Sequence, residues 1–142
     1  MTLDMIMQKL SQLNLFAGIS KEALRLMAFS AERKSLHAGD ILVSRGDSSD
    51  GAYFILSGSI ALQTRDDGGP SEQIIGENCL IGETALIIPT DNPASAIARQ
   101  PCVVLFIPRS LFLRLLNEFP DVAIKLRENF ARRLSDFSAV SY

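Results

Sequence analysis

The sequence contains few of the residues that bind metals or perform nucleophilic catalysis. Its 142 residues include one histidine, His37, and two cysteines, Cys79 and Cys102. The cysteines form no Cys-x-x-Cys pair, so neither a zinc site nor a disulfide scaffold is predicted. Each lies in an apolar run, and we expect two buried thiols in a reducing compartment. We expect His37 at the surface, with no Ser–His–Asp or Cys–His set around it and therefore no catalytic residue.

The chain also lacks a strong excess of charge of one sign and a long apolar run. Its formal net charge is -2, and we expect this chain to make no contact with nucleic acid. No run approaches the roughly 18 apolar residues of a membrane-spanning helix. Residues 1–10 include Asp4 and Lys9 and have no continuous apolar segment. We therefore expect no signal peptide and a cytoplasmic location.

The length and the apolar fraction of 47% suit one domain with its own core. We assign residues 1–142 to this domain, with helices in residues 1–30. The apolar residues of this first zone recur at helical spacing. Gly18 interrupts the pattern, and Ser20 can cap the second helix.

Residues 31–107 change to short apolar runs that are separated by glycine and polar turns. The runs recur about every 8–12 residues, which is typical of an antiparallel sandwich or barrel. Ser57 and Gly58 lie between two such runs and predict a hairpin turn. A longer hairpin tip is predicted at residues 66–70.

Residues 108–142 return to helical spacing. Pro108 is predicted to start a helix, because proline is tolerated in a first turn. The helix is predicted to break at Phe119 and Pro120, because a residue before proline avoids the α region. The next helix carries an apolar stripe that consists of Ala123, Leu126, Phe130, Leu134 and Phe137. The order of elements indicates an α+β fold, an antiparallel, jelly-roll-like β-roll of about eight strands with helices at both ends.

Two stretches of the sequence have residue patterns that the overall composition does not explain. The glycines of residues 38–60 indicate left-handed turns or close strand approach, which describes a β-roll and indicates no ligand. The second stretch begins at Gly82 and Glu83 and ends in the small residues 94–96. Exposed N–H groups at the start of a helical turn bind phosphate oxygens, and a carboxylate accepts from sugar hydroxyls. Taken alone, this pattern favours a structural turn over an anion pocket.

Together, the two stretches resemble the cyclic-nucleotide-binding family, which includes the catabolite activator protein, fumarate–nitrate regulators, kinase regulatory subunits and gated channels. The resemblance covers nearly the whole chain. It rests on the spacing of Gly39, Gly46 and Gly58, and on a segment similar to the start of the family's phosphate-binding cassette. That segment is Gly82-Glu83-Thr84-Ala85-Leu86.

The resemblance implies a ligand, cyclic AMP or cyclic GMP, and assigns its contacts. The N–H of Gly82 would face the phosphate, and Glu83 would accept from the ribose 2′-hydroxyl. Ser95 and the N–H of Ala96 would meet the cyclic phosphate. The candidate ligand-binding residues are therefore Gly82, Glu83, Thr84, Ala85, Ala94, Ser95 and Ala96.

This sequence departs from the family at Ala94, where an arginine normally neutralises the phosphate. Each charge-assisted bond of such an arginine is worth about 1.5–3 kcal/mol. Its loss would weaken affinity by about two to four orders of magnitude. Arg99 is the nearest substitute, but its odd offset in an extended strand points it to the opposite face, in solvent. The pocket is expected to bind a cyclic nucleotide weakly, to bind another small ligand, or to be empty.

We predict a regulatory ligand-sensing module with no cofactor and no enzyme activity. By resemblance, a ligand in the roll would reposition the hinge at Phe119 and Pro120 and the helix after it. That helix is expected to pair with a second copy in a homodimer, unless its stripe packs on its own roll. The alternatives are a ligand-free module for protein interaction or dimerisation, and the sensory fragment of a transcription regulator.

An arginine at position 94 tests the effect of the missing charge. Ala94→Arg is expected to strengthen binding of cyclic AMP or cyclic GMP by about ten-fold or more, because the guanidinium offsets the desolvation of the phosphate. Wild-type affinity is expected to lie in the high-micromolar range or weaker. Calorimetric titration of both proteins at one salt concentration measures the difference. Tight binding by the wild type would show that another group neutralises the phosphate.

Overall fold

The computed structural model describes residues 1–64 and 72–140, and their side chains as far as residue 132. Within these ranges, four α-helices flank a β-rich centre. They are α1 (Leu3–Ser11), α2 (Lys21–Ser30), α3 (Arg109–Glu118) and α4 (Pro120–Val140). Short 3-10 helices lie at Asn14–Phe16 and Glu83–Leu86. No helix of the described ranges has the length and apolar character needed to cross a membrane.

Ten short strands lie between α2 and α3 in the described ranges, and every pair is antiparallel. They form two four-stranded sheets, in the orders β1-β10-β4-β7 and β2-β9-β5-β6, and the ribbon β3-β8. The predicted α+β roll with helices at both ends is confirmed. The strands are β1 (Glu32–Leu36), β2 (Ile41–Val43), β3 (Ser48–Ser49), β4 (Gly51–Ser57), β5 (Ile60–Gln63), β6 (Gln73–Ile75), β7 (Leu80–Ile81), β8 (Thr90–Asp91), β9 (Ser95–Ala98) and β10 (Cys102–Pro108).

Apolar side chains pack into two cores, which lie on opposite faces of β4. Phe54 and Leu56 are fully buried against the helices, and Phe112 of α3 belongs to the same cluster, the helical core. Ile55 points the other way and packs with Val104 between the two sheets, in the roll core. Full burial of side chains of this size stabilises the fold by about 1.5–3 kcal/mol each. β4 therefore fixes the helices and the roll to each other.

The residues predicted to separate and cap the first two helices do so in the structure. Gly18 has a φ of 76°, a left-handed value that glycine adopts without steric cost. The Ser20 hydroxyl accepts a hydrogen bond of 3.3 Å from the N–H of Ala23 at the start of α2. This cap satisfies one of the free N–H groups of the helix end.

The hairpin predicted at Ser57 and Gly58 is wrong. β4 pairs with β10 and β7, so neither of its edges is open to β5. The turn instead carries the chain from one sheet to the other, and β5 pairs with β6 and β9. Gly58 has a φ of 93°, and a Cβ there would lie 2.6 Å from Cys102 Sγ. Only glycine fits this corner.

The prediction of two buried thiols holds for Cys102 and is wrong for Cys79. Cys102 is buried in the roll core, whereas Cys79 is exposed. The apolar run around Cys79 forms only the two-residue strand β7. Cys79 precedes this strand, and its carbonyl accepts the Ile55 N–H at 3.0 Å. The backbone of residue 79 is therefore held in the roll while its side chain faces solvent.

The second predicted hairpin joins β5 and β6, which pair antiparallel with Ile60 opposite Ile75. Its predicted tip, residues 66–70, lies outside the described residues.

The predicted break between the last two helices is confirmed. Phe119 has φ and ψ values of -128° and 80°, which end α3, and α4 starts at Pro120. Pro108 was predicted to be the first residue of the helix. It is instead the last residue of β10 and the N-cap of α3, which begins at Arg109. On α4, Leu126 is buried in the helical core and Phe130 packs against it. This part of the apolar stripe therefore packs on its own domain; the predicted homodimer stays a prediction.

A buried amide fastens α4 to the first 3-10 helix. Asn129 is 2% exposed. Its Nδ2 donates to the carbonyls of Leu15 at 2.8 Å and Ala17 at 3.0 Å. Its Oδ1 accepts from Arg132 at 2.8 Å. The amide has both donors and its acceptor satisfied, as buried polar groups require.

Truncation of Asn129 is expected to loosen this attachment. Asn129→Ala leaves two carbonyls without their donor and should lower the free energy of unfolding by about 1–3 kcal/mol. Urea unfolding followed by circular dichroism measures the change. Arg127→Ala, an exposed change on the same helix, is the control and should stay within about 0.5 kcal/mol of the wild type. Equal stability of both variants would contradict the structural role of the amide.

Candidate ligand-binding site

The candidate site begins where β7 leaves the sheet at Gly82. This residue has a φ of 82° and caps the 3-10 helix Glu83–Leu86. The left-handed value explains the glycine, because a side chain there would strain the backbone. Ala85 and Leu86 are fully buried beneath the turn. The turn is thus anchored by its second half, and its first half, Gly82 to Thr84, stays accessible.

A cavity of about 300 Å³ lies against this turn. Its volume is at the lower end of the range of small-molecule sites. Within the described part of the chain, its lining includes the carboxylates of Glu83 and Asp91 and no lysine or arginine. The lining residues are Ser49, Gly82, Glu83, Thr84, Ala85, Thr90, Asp91, Asn92 and Pro93. Four of the seven predicted site residues therefore meet at one cavity.

The other three predicted residues lie just beyond this lining. Ala94 is half-buried and directly follows the cavity residue Pro93. Ala96 is fully buried in the roll core. Ser95 lies on the opposite face of β9, and its Oγ accepts the Arg45 N–H at 2.9 Å. These three residues follow the cavity residue Pro93 along the chain, but they do not line the cavity.

A turn at residues 44–47 is fastened to the segment that enters β9. The N–H of Gly46 donates to the Asn92 carbonyl at 2.9 Å, and the N–H of Asn92 donates to the Asp47 carbonyl at 2.8 Å. The Asn92 side chain adds a 3.3 Å bond to the Ser44 carbonyl. Arg45 in this turn was not identified from the sequence. It is exposed, and its Nη1 donates to the Thr64 carbonyl at 2.8 Å.

Arg109 links the site to α3 and was also not identified from the sequence. Its Nε donates to the Ala85 carbonyl at 2.9 Å, and its Nη2 donates to the Ser49 carbonyl at 2.7 Å. Its own N–H donates to the Asp50 carbonyl at 2.7 Å. A cation in the first turn of a helix opposes the helix dipole. This unfavourable position at the start of α3 is the one feature of the sequence that could have indicated a contact of Arg109 outside its own helix.

Arg99 and His37 lie where the sequence predicts. The Arg99 guanidinium is more than half exposed and lies 3.0 Å from the Glu72 carboxylate. It therefore stays in an ion pair and in solvent. His37 is 95% exposed at its side chain. Neither residue reaches the cavity lining.

A neutral phenol lies on the roll-facing side of β4. The Tyr53 ring lies 4.8 Å from the Phe106 ring, measured between centroids. Burial, and then the carboxylates of Glu32 and Asp50, raise the pKa of the Tyr53 hydroxyl. Tyr53 consequently keeps its proton at neutral pH. It adds no negative charge to the roll.

The known proteins that this chain is similar to include a lysophospholipase and a cyclic AMP receptor protein. The chain is 30% identical over 108 residues to lysophospholipase NTE1 of Chaetomium globosum, covering 75% of this chain and 7% of that protein. It is 29% identical over 124 residues to the cyclic AMP receptor protein of Thermus thermophilus, covering 86% of this chain and 57% of that protein. The chain thus spans less than two thirds of these curated relatives.

The fold and the family model agree with each other. The crystal structure of the N-terminal domain of a transcriptional regulator from Streptomyces coelicolor A3(2) matches with a TM-score of 0.83 at 29% identity. The match covers 94% of this chain and 95% of that one. The family model described as "Cyclic nucleotide-binding domain" matches residues 33–119, well over half of the chain. The chain belongs to the cyclic nucleotide-binding domain family.

Proposed function

We propose that this domain senses a cyclic nucleotide, or another small phosphate-bearing ligand, at the Gly82 turn. The observation that carries the proposal is the cavity that the Gly82–Ala85 segment shares with Asn92 and Pro93. N–H groups at the start of the turn suit a phosphate, and Glu83 suits a ribose hydroxyl. The relative named as a cyclic AMP receptor protein supports this class of ligand.

Arg109 is the route by which we propose that the site reports occupancy. Two cavity residues, Ser49 and Ala85, bind its guanidinium through their carbonyls. Its backbone belongs to α3, which leads through Phe119 to α4. A ligand that shifts the turn would therefore shift the start of α3. The hinge and α4 would follow, as the family resemblance implies.

A second candidate function is a ligand-free module for protein interaction or dimerisation, and Ala94 favours it. No lysine or arginine of the described residues lines the cavity, and Ala94 removes the cation expected next to it. We propose no catalytic activity for this domain, because its lysophospholipase relative is far longer and this chain covers 7% of it. The cytoplasmic location and the absence of nucleic-acid contact stay predictions.

Titration of a matched pair of variants tests the site. Calorimetry with cyclic AMP and cyclic GMP should show binding to the wild type. Glu83→Ala should weaken it by about ten-fold or more, through loss of a charge-assisted bond to the ribose. Glu77→Ala is the control, because Glu77 is exposed and pairs with Lys9 outside the cavity lining. Mass spectrometry of the purified protein identifies any ligand that stays bound.

Two results would contradict the sensing function. One is the absence of binding to either cyclic nucleotide by the wild type and by Ala94→Arg. The other is equal affinity of Glu83→Ala and Glu77→Ala, which would move the ligand away from the Gly82 turn. The interaction-module function would then be preferred.

Hydrogen exchange tests the route through Arg109. Saturating cyclic nucleotide should change amide protection in α3 and α4 of the wild type. In Arg109→Ala this change should be much smaller at equal saturation, because the two carbonyl contacts are lost. Arg114→Ala, which removes only an exposed pair with Glu118, is the control. A full response in Arg109→Ala would assign the coupling to another contact.

A further inference from the structure

The helix α2 has a solvent-facing side as well as a buried one. The buried side packs in the helical core and consists of Ala23, Leu24, Met27 and Ala28. The other side carries positions 22, 25, 26 and 29, a spacing that places their side chains next to one another on the helix. We call the patch that these positions form with Leu3 of α1 the outer face; its α2 residues are Glu22, Arg25, Leu26 and Phe29.

An apolar groove of about 490 Å³ lies between the residues of the outer face. Leu3 and Leu26 pack only partly against the helical core, and both also line the groove. Phe29 is 79% exposed, the largest fraction among the large apolar residues whose side chains are described. Single exposed apolar residues are ordinary, but a phenylalanine beside an apolar groove indicates an interaction site.

The outer face carries one charge of each sign. Glu22 and Arg25 both line the groove, and both are exposed. Neither side chain forms a hydrogen bond or an ion pair with the residues that the structure describes. Both charges are therefore available to a partner that brings the opposite sign to each.

A second copy of this chain carries the groups that the outer face needs. In a two-fold symmetric interface the same patch occurs on both sides and has to be complementary to itself. A patch with charges of one sign would repel its copy, whereas Glu22 of one copy can face Arg25 of the other. The groove also needs an apolar group that fills it, and the protruding Phe29 of the other copy is such a group. The outer face meets both requirements with its own residues.

The last helix offers less free apolar surface for self-association. Leu126 is buried in the helical core and Phe130 packs against it. This part of the predicted dimer stripe is therefore occupied inside its own domain. The formal net charge of -2 opposes the association of two copies only weakly.

We propose that the outer face is an interface with a second copy of this chain, in which each Phe29 packs into the groove of the other copy. Glu22 of each copy faces Arg25 of the other across the two-fold axis. Five residues line the groove, whereas a stable interface has about 20–30 residues on each side. The dimer is therefore weak, and its amount rises with protein concentration. It requires no ligand and is independent of the proposed sensing function.

Sedimentation velocity over a range of protein concentrations tests the interface. The wild type should shift from monomer towards dimer as its concentration rises, with and without cyclic nucleotide. Phe29→Asp should weaken this association by about ten-fold or more, because it replaces the apolar group in the groove with a charge. Ile41→Asp is the control and should associate like the wild type, because Ile41 is 63% exposed on β2 and does not line the groove. Circular dichroism checks that each variant is folded.

Charge reversal distinguishes pairing between copies from an effect on the fold. Glu22→Arg gives a face with two positive charges, and Arg25→Glu gives a face with two negative charges. Each variant alone should associate less than the wild type, because its own copies repel each other. An equimolar mixture of the two should recover association at low salt, because each variant then meets opposite charges in the other. A loss of stability within one chain could not be recovered by mixing.

Three results would overturn the proposal. One is a wild type that is still monomeric at about 1 mM, which would leave the outer face to a different partner. Another is equal association of Phe29→Asp and the wild type; if Ile124→Asp, an exposed position on α4, then dissociates the dimer, the interface belongs to the last helix instead. The third is a mixture of Glu22→Arg and Arg25→Glu that associates no better than either variant alone.

Discussion

β4 has buried side chains on both faces, and the rest of the domain is arranged around this constraint. Phe54 and Leu56 pack with the helices, and Ile55 packs inside the roll. Both edges of the strand are also occupied, by β10 and β7. Such a strand cannot rotate or slip without exposing one of the two cores. β7 pairs with this strand and leads directly to Gly82, so the site begins next to β4.

Two side chains tie α3 and α4 to other parts of the domain, and both act through backbone carbonyls. Arg109 reaches the carbonyls of Ser49 and Ala85 from the start of α3. Asn129 reaches those of Leu15 and Ala17 from α4. The first contact couples the site to α3, and the second couples α4 to the N-terminal 3-10 helix. A displacement of α3 that carries α4 with it would therefore also act on the N-terminal segment.

The sequence predicts the features that depend on local chemistry. The cap at Ser20, the break at Phe119 and the short helical turn that begins at Gly82 each follow from a residue and its neighbours. The predictions that fail depend on distant partners. Ser57 and Gly58 have the composition of a hairpin, but β4 has no open edge for β5. Cys79 lies in an apolar run, but the strand formed from that run has only two residues and begins after it.

The same distinction between local and distant partners explains which residues of the candidate site could be predicted. The motif from Gly82 to Ala85 could be predicted because its conformation is local. The contacts of Arg45 and Arg109 could not be predicted. Each side chain donates to a backbone carbonyl far along the chain, and the sequence does not indicate which carbonyl a side chain reaches. Side-chain periodicity indicates which face a residue occupies, and by that measure Arg99 lies on the wrong face of its strand. Contacts across strands are visible only once the register is known.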